Sequence, residues 1–375
     1  MKKNLLMTAA MTAVLLTGCS SDEEIANIET SAKNAIGFNI VSNKAETKAT
    51  PITPDNLTDT DFDVFALNST SGDIFMGNIS GTDGIQINHN GTGWVYANPS
   101  ELAYWPTHSL DFYAINPSIE DFAQGTDGYL SYVINSNKQT IQYITIDEFH
   151  ENSGMGKNID VMYATAKGKT KESNFGVVEL NFKHILSQVM FNAKVQQAFM
   201  RVTIKEMKIH NFAVGGTFTF PTENVNPTQE NWEINKAKTV YTIKENGTDI
   251  VVNSTETPVD ITDASNPMLF VPQTLTAWAT TAGAPMTKED ADKEGNGFQS
   301  YLEVTCTIEQ SVSTVYDGTL YIPFGTEWQP GKRYIYTLNF GGGYDDHGNP
   351  ILTPITFDAS VENWVDTSGY NVQVK

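Results

Sequence analysis

The sequence has few cysteines, few arginines and little positive charge. Its only cysteines are Cys19 and Cys306, and Cys306 lies in the alternating stretch YLEVTCTIEQ, which is typical of a small buried hydrophobic residue. Neither a disulfide framework nor a cysteine metal cluster is therefore expected. The 23 Lys and Arg residues are outnumbered by 44 Asp and Glu residues, which gives a formal net charge of −21. This charge excludes nucleic acid as a partner, because its phosphates would be repelled.

Long apolar runs are also scarce, and the clearest one is too short to span a bilayer. It covers residues 5–16, follows Lys2 and Lys3, and leads into the sequence Leu-Thr-Gly-Cys that ends at Cys19. This pattern is typical of a lipoprotein signal peptide. We expect cleavage before Cys19 and lipid on that cysteine, which would leave a chain of formal charge −23. An ordinary signal peptide with an incidental cysteine is the alternative.

The acidic sequence SSDEE directly follows Cys19. It resembles the tag that directs lipoproteins to the outer face of some Gram-negative outer membranes. The predicted location is therefore the cell outer membrane, with the protein exposed at the surface. A solvated linker is the alternative interpretation.

Strand patterns dominate the rest of the chain. Short alternating runs such as FDVFAL, LDFYAI, VTIKEMKI and RYIYTLNF are separated by Gly, Asn, Pro and Asp. Turn sequences such as NHNGTG and PGKR favour antiparallel connections over the crossovers that a parallel sheet needs. The chain is long enough for two cores, so we predict an all-β protein of two β-sandwich domains. The predicted division is a signal peptide at 1–18, an acidic linker at 19–34, an N-terminal domain at 35–195 and a C-terminal domain at 196–375.

Two local patterns give more specific predictions. In NFKHILSQVMFNAKV, helical and strand periodicities overlap, and we expect a strand after Ser187 with one helical turn before it. The pair Pro330-Gly331 predicts a type II turn that places RYIYTLNF antiparallel to GTLYIPF.

Catalytic and cofactor-binding patterns are not evident. His184 in FKHIL has no nucleophile signature near it, so a hydrogen-bonded structural role is favoured. Asp290, Asp292 and Glu294 imitate the start of a calcium loop, but Tyr301 occupies the place of its bidentate glutamate. We expect no enzymatic activity, no metal and no cofactor.

The six tryptophans support an alternative function. Trp94 and Trp232 lie in Gly- or Asn-rich surroundings and are expected to be the most exposed, and exposed rings can stack on sugars. A non-polymerising surface lipoprotein that binds glycans is therefore the alternative. A lipoprotein hydrolase is disfavoured, because no paired acids, metal ligands or nucleophile elbow stand out.

Several sequence blocks follow one another over nearly the whole chain after the signal peptide. They are YWP with LDFYAINP at 104–117, DVMYATAKG at 160–168, VELNFKHILSQVMFNAKV at 178–195, LFVPQTLTAW at 269–278, WQPGKRYIYTLNF at 328–340 and ITFDASVENW at 355–364. Together they resemble the fimbrillin family, the type V pilins of anaerobic gut and oral bacteria. The resemblance implies two tandem transthyretin-like β-sandwiches, export as a lipoprotein, and assembly with other pilin subunits into adhesive surface fimbriae. It implies neither catalysis nor a cofactor.

The segment AIGFNIVS has the pattern of a first strand of the N-terminal sandwich. Its extended form would place Ile36, Phe38 and Ile40 on one face. The resemblance implies that a trypsin-like cut just after such a strand matures the subunit. Lys44 and Lys48 are the basic residues at the matching place, and a disordered linker of small residues is the alternative.

One feature departs from the family pattern. Better-known members of the family are cut after arginine, whereas Arg201 and Arg333 are the only arginines in this chain and neither is near the segment. The maturation protease is therefore not specified by the resemblance.

Strand removal would have a simple physical consequence. It would leave unpaired backbone groups and an apolar trough, which a strand of another subunit could fill. The expected partners are thus other pilin subunits, the outer membrane through the lipid on Cys19, and a host or bacterial surface ligand.

A second candidate strand lies in the C-terminal sequence YNVQVK. Tyr370, Val372 and Val374 share one face of an extended segment, and Gly369 offers a hinge before them. This segment is either a donor strand for another subunit or the last resident strand of the C-terminal sandwich. Only residues 365–375 follow Trp364, which favours a tip or accessory role in the fimbria.

Overall fold

The computed structural model describes residues 34–40, 59–118, 130–145, 159–174, 176–234, 238–263, 268–280, 286–352 and 355–363. Apart from short 3₁₀ turns, these residues form strands β1–β25 and two four-residue helices, α1 Lys171–Asn174 and α2 Lys288–Ala291. The predicted all-β fold is confirmed. In the part of the chain described, no helix is long and apolar enough to cross a membrane.

The central sheet of the N-terminal half is buried on both faces. Its antiparallel strands lie in the order β11, β9, β6, β2, β4, β5, and β3 pairs with β2. In β2, Phe65 and Leu67 face one core while Phe62, Val64 and Ala66 face another, so side chains of both parities are buried. The strands are β2 Phe62–Asn68, β3 Ile74–Met76, β4 Ile85–His89, β5 Trp94–Tyr96, β6 Leu110–Asn116, β9 Met162–Lys169 and β11 Lys183–His184.

A second sheet covers one face of the central sheet. It consists of β7 Leu130–Ile134, β8 Gln139–Ile144, β14 Gly215–Thr219 and β15 Trp232–Ile234, in the order β15, β14, β8, β7. Tyr132 of this sheet donates its hydroxyl hydrogen bond to the buried carboxylate of Asp63 at 2.6 Å. The bond supplies a partner for a carboxylate that would be costly to bury alone.

A two-stranded parallel sheet covers the opposite face. It pairs β1 Gly37–Ile40 with β10 Val177–Leu180. Val178 and Leu180 of β10 and Phe182 just after it join the core beneath β1. The N-terminal half is therefore a three-layered structure around the central sheet.

The C-terminal half is built from two sheets around one core. The third sheet has the order β18, β12, β24, β25, with β19 on β12, and the fourth has the order β16, β13, β21, β22, with β17 on β13. Phe191, Ile204, Cys306 and Leu338 are among the buried residues between them. The strands of the third sheet are β12 Ser187–Val195, β18 Val259–Asp260, β19 Met268–Phe270, β24 Lys332–Phe340 and β25 Thr356–Asn363. Those of the fourth are β13 Met200–His210, β16 Val240–Lys244, β17 Ile250–Val252, β21 Tyr301–Gln310 and β22 Ser313–Pro323. A short pair, β20 Thr274–Leu275 and β23 Thr326–Glu327, completes the set.

The pairing of β24 differs from the expectation. It runs parallel to β12, from Gln188 opposite Arg333 to Val195 opposite Phe340, and β22 pairs with β21 instead. The predicted antiparallel pairing of RYIYTLNF with GTLYIPF is therefore wrong. The turn itself has the glycine that a type II turn needs, because Gly331 has a φ of 66°. Its N–H donates to the carbonyl of Leu186, which brings the chain into the sheet beside β12.

Strand pairing crosses the expected domain division in both directions. Strand β12 precedes the division at 195/196 but belongs to the third sheet, and β14 and β15 follow it but belong to the second sheet. The reason is side-chain burial: Phe191 lies in the C-terminal core, whereas Phe218 and Trp232 lie between the second and central sheets. The strand expected after Ser187 is present, but the helical turn before it is wrong, because Lys183 and His184 form β11.

Candidate functional site

The candidate site is strand β1 together with the cleft that it fills on the central sheet. Ile36, Phe38 and Ile40 expose only 1%, 6% and 8% of their surfaces, whereas Asn39 between them is exposed. An extended backbone places alternate side chains on opposite faces, so one face of this segment belongs to a core and the other faces outward. These are the three inward residues named from the sequence.

Backbone hydrogen bonds hold both sides of the segment at its beginning. The N–H of Ile36 donates to the carbonyl of Ala103 at 2.9 Å, and the next N–H, of Gly37, donates to Gly176 at 2.8 Å on the other side. Trp105 in turn donates its N–H to the carbonyl of Asn34 at 2.9 Å. The segment therefore lies between the stretch 103–105 and β10.

Further along, β1 has one regular partner among the described strands. The parallel register runs from Gly37 opposite Val177 to Ile40 opposite Leu180, so the ladder is four residues long. A ladder of this length has few hydrogen bonds, and each bond contributes only about 0.5–1.5 kcal/mol net to stability. Side-chain burial is thus the larger part of what holds β1 in place.

Phe38 is surrounded by three aromatic rings. Its ring centroid lies 6.3 Å from that of Phe62, 5.9 Å from that of Tyr96 and 6.0 Å from that of Phe112. The contacts with the two phenylalanines are edge-to-face, a geometry that aromatic quadrupoles favour. We call the space that Phe38 occupies between these three rings the Phe38 socket.

Tyr96 joins the wall of this socket to the backbone of the segment. Its hydroxyl donates to the carbonyl of Ile36 at 3.0 Å. Burial raises the pKa of Tyr96 to about 12, so the hydroxyl keeps its proton at neutral pH and remains a donor. The bond supplies a partner for a carbonyl at the start of β1.

Two further contacts tie the stretches that flank β1. The indole N–H of Trp105 donates to the carbonyl of Gly176 at 3.3 Å, and Trp105 packs edge-to-face on Phe112. The ammonium group of Lys171 donates to the side-chain carbonyl of Asn34. The Trp105 bond thus connects the two walls of the cleft without the β1 side chains, whereas the Lys171 bond holds the segment that carries β1.

The remaining residues proposed for assembly, processing and lipidation lie outside the described part of the chain. They are Cys19, Lys44, Lys48, Tyr370, Val372 and Val374. Lys44 and Lys48 lie in the sequence between Ile40 and residue 59, where the described structure resumes. Their roles stay predictions.

Tryptophan positions bear on the alternative of a glycan-binding protein. Trp232 exposes only 7% of its surface and donates its indole N–H to the carbonyl of Ile185 at 2.9 Å, so the expected exposure of this ring is wrong. Trp94 is half-buried and packs on Phe62 and His89. The ring of Trp232 therefore has no free face that could stack on a sugar, whereas Trp94 keeps part of its surface exposed.

His184 is completely buried. Its Nδ1 lies 2.7 Å from the carboxylate of Asp160, which is also buried. The pair lies at the edge of the central sheet, where β11 meets β9. This is the polar partnership expected of a structural histidine.

A polar cavity of about 620 Å³ lies in the C-terminal half, with Asp292 in its wall. The Asp292 carboxylate accepts hydrogen bonds from Asn211 at 2.9 Å, Tyr301 at 3.0 Å and Lys238 at 3.0 Å. Burial opposes ionisation of Asp292, but these bonds outweigh it and hold its pKa below the usual range. The carboxylate is thus fully engaged in holding its loop. Among the described residues, no group of three or more His, Cys, Asp or Glu is placed to hold a metal ion.

The fold and the cleft can be compared with known proteins. The model of the fimbrillin-like family matches residues 47–364, which is most of the chain. The chain therefore belongs to the fimbrillin-like family, as the sequence blocks had indicated. Strand β1 lies before the first matched residue.

Individual relatives are distant. The chain is 23% identical over 402 residues to fimbrium subunit Fim1C of Phocaeicola vulgatus strain ATCC 8482, which covers 100% of this chain and 99% of that subunit. The crystal structure of a fimbrial protein from Bacteroides vulgatus ATCC 8482 superposes with a TM-score of 0.59 at 16% identity, over 88% of this chain and 100% of that one. The tip fimbrial protein Mfa3 from Porphyromonas gingivalis, with a C-terminal truncation, gives a TM-score of 0.39 at 10% identity, over 81% and 94% of the two chains. The superposition with the Bacteroides vulgatus protein shows a shared fold.

Proposed function

We propose that this chain is a subunit of a surface fimbrium that acts in cell adhesion, and that β1 is a removable strand whose place is taken by a strand of another subunit. The observation that carries the proposal is the attachment of β1. Its inward side chains are buried in a core, yet its regular ladder is four residues long. Membership of the fimbrillin-like family and the similarity to Fim1C support the fimbrial role.

Burial of apolar surface makes a cleft that is filled by another strand more stable than an empty one. Fully burying a side chain such as Ile or Phe contributes about 1.5–3 kcal/mol, and β1 and its preceding residue bury three of them. Removal of the strand would therefore expose Phe62, Phe112 and their apolar neighbours to water. A strand with a matching apolar face would bury them again and would pair with the free edge of β10.

Maturation is proposed to occur by a cut at Lys44 or Lys48. Both lie after β1 and before residue 59, so one cut there separates β1 from the body of the protein without breaking any described strand.

Export as a lipoprotein is proposed to place the subunit on the outer membrane through lipid on Cys19. The Cys19→Ala variant should lose labelling with radioactive palmitate. Cys306→Ala is the matched control and should keep the label, since Cys306 is completely buried in the C-terminal core. Persistent labelling of Cys19→Ala would contradict the proposal.

Polymer formation can be tested on cells that export the full chain together with other pilin subunits. After treatment with a lysine-specific protease, detergent-resistant ladders should form with the wild-type protein but not with the double variant Lys44→Gln, Lys48→Gln. A matched double variant, Lys138→Gln with Lys167→Gln, changes two exposed lysines elsewhere and should still give ladders. Ladders from the first double variant would place the cut elsewhere, and cut protein that stays monomeric in every case would contradict the proposed assembly.

A further inference from the structure

We propose that the cleft selects an incoming strand with an aromatic side chain at its central inward position, and that the C-terminal residues 368–375 of this chain are therefore a weak donor for it. The inference rests on the proposed function, because it requires β1 to be replaceable. It adds the chemical pattern of the partner strand.

The Phe38 socket is the selective part of the cleft. It is formed by rings from three different strands, Phe62 on β2, Tyr96 on β5 and Phe112 on β6, and the closest of their centroids lies 5.9 Å from that of Phe38. Strands β2 and β6 pair directly, which fixes two of these walls in the rigid central sheet. A smaller side chain would leave an empty space here, because packed walls relax only in part.

The positions on either side of the socket require branched aliphatic residues. Ile36 and Ile40 are both buried in the same core as Phe38. The intervening positions are less demanding. A Cβ added at Gly37 would lie 3.5 Å from the Val177 side chain, an ordinary contact, and Asn39 is exposed. The cleft therefore selects the pattern aliphatic, any residue, aromatic, any residue, aliphatic.

The C-terminal sequence of this chain fits that pattern poorly. Aligned at its centre, SGYNVQVK would place Val372 in the Phe38 socket, where a ring is needed. Shifted by two residues, it would place Tyr370 there but Ser368 in the position of Ile36. Either alignment leaves one buried position underfilled or polar, so this chain is a weak donor for its own cleft.

Peptide exchange tests the inference on the full chain. A site for a sequence-specific protease is substituted into residues 44–48, and the protein is cut after it has folded. Fluorescent peptides of residues 34–42 are then added, before and after one cycle of unfolding and refolding, and binding is followed by anisotropy. The peptides are the wild type, Phe38→Trp, Phe38→Val, the flank control Ile36→Val, and a peptide of residues 368–375.

The peptide with the wild-type sequence should exchange into the cleft, and Phe38→Val should bind about tenfold or more weakly, while Ile36→Val loses less than about tenfold. The Phe38→Trp peptide should bind more tightly than Phe38→Val, and the 368–375 peptide should be as weak as Phe38→Val. Equal binding of the wild-type and Phe38→Val peptides would show that the Phe38 socket does not select an aromatic side chain, and tight binding of the 368–375 peptide would show that this segment is a competent donor. Failure of the wild-type peptide to exchange even after refolding would overturn the proposed function itself.

Discussion

Strands β1 and β25 are attached to this protein by opposite means. Strand β1 has a four-residue ladder, but its inward side chains are buried in the core. Strand β25 pairs with β24 over eight residues, from Thr356 opposite Asn339 to Asn363 opposite Lys332; Phe357 packs against the core, but the side chains from Asp358 to Val361 are exposed.

The difference shows which strand, if removed, would leave a cleft that is specific for an incoming strand. Each backbone hydrogen bond of β25 can be replaced by bonds to water at a net cost of only about 0.5–1.5 kcal/mol. The side chains of β1 have no such substitute, because water cannot fill an apolar cleft favourably. A cleft shaped by side chains can also distinguish one incoming strand from another, whereas a bare sheet edge offers mainly backbone groups.

The largest expected effect comes from a charge in the Phe38 socket. Phe38→Asp should lower the free energy of unfolding of the uncut protein by about 3–5 kcal/mol, because it removes a buried ring and places a carboxylate among aromatic rings. Denaturant unfolding measures the change. Asn39→Asp, at the exposed neighbouring position, is the control and should have little effect. Equal midpoints for Phe38→Asp and the wild type would show that β1 does not contribute to the fold.

A smaller effect is expected from the bond between Tyr96 and the backbone of Ile36. Tyr96→Phe keeps the ring against Phe38 but removes the hydroxyl donor, and should cost about 0.5–1.5 kcal/mol. Tyr104→Phe changes a more exposed hydroxyl and serves as the control in the same unfolding experiment. If the two variants have the same stability, the Tyr96 bond does not help to hold the segment.

Introducing a carboxylate on β25 should have almost no effect on stability. Val361 exposes 58% of its surface, so Val361→Asp should change the free energy of unfolding by no more than about 0.5 kcal/mol. A loss comparable to that of Phe38→Asp would remove the contrast between the two strands.

The smallest effect on stability is expected from deletion of residues 369–375. If this segment is a donor strand for another subunit, the melting temperature of the monomer should stay nearly unchanged, and the truncated subunit should no longer insert into a different cut pilin subunit. Thermal melting and mixing with other cut pilin subunits measure the two properties. A large drop in melting temperature would instead make the segment a resident strand, as in a tip subunit that accepts a strand without donating one.

The sequence predicted the positions of the strands better than it predicted which strands pair with each other. Alternation identified the inward face of Ile36, Phe38 and Ile40, because period-two burial is a local property of an extended chain. Alternation does not encode direction, so the parallel pairing of β12 with β24 was missed. The turn before a strand does not determine which strand it pairs with, because the partner can be distant in the sequence.

Burial of polar and aromatic residues was harder to predict. Trp232 lies in a polar stretch of sequence, yet its ring is enclosed by the second and central sheets and its N–H reaches Ile185, 47 residues away. Asp63 gives β2 the appearance of a strand with one polar face, but Tyr132, 69 residues away, supplies its partner. The three rings of the Phe38 socket likewise come from three different strands. No local sequence pattern indicates that these rings lie close together.

The central claim is that β1 can be replaced in an otherwise intact fold. Native mass spectrometry of the full chain, cut after folding at a protease site placed in residues 44–48, tests it directly when an isotopically heavy peptide of residues 34–42 is added. The heavy peptide should replace the fragment that carries β1, one for one, while the mass of the body stays unchanged. A cut protein that retains its original fragment through refolding and never gains the heavy peptide would contradict the claim.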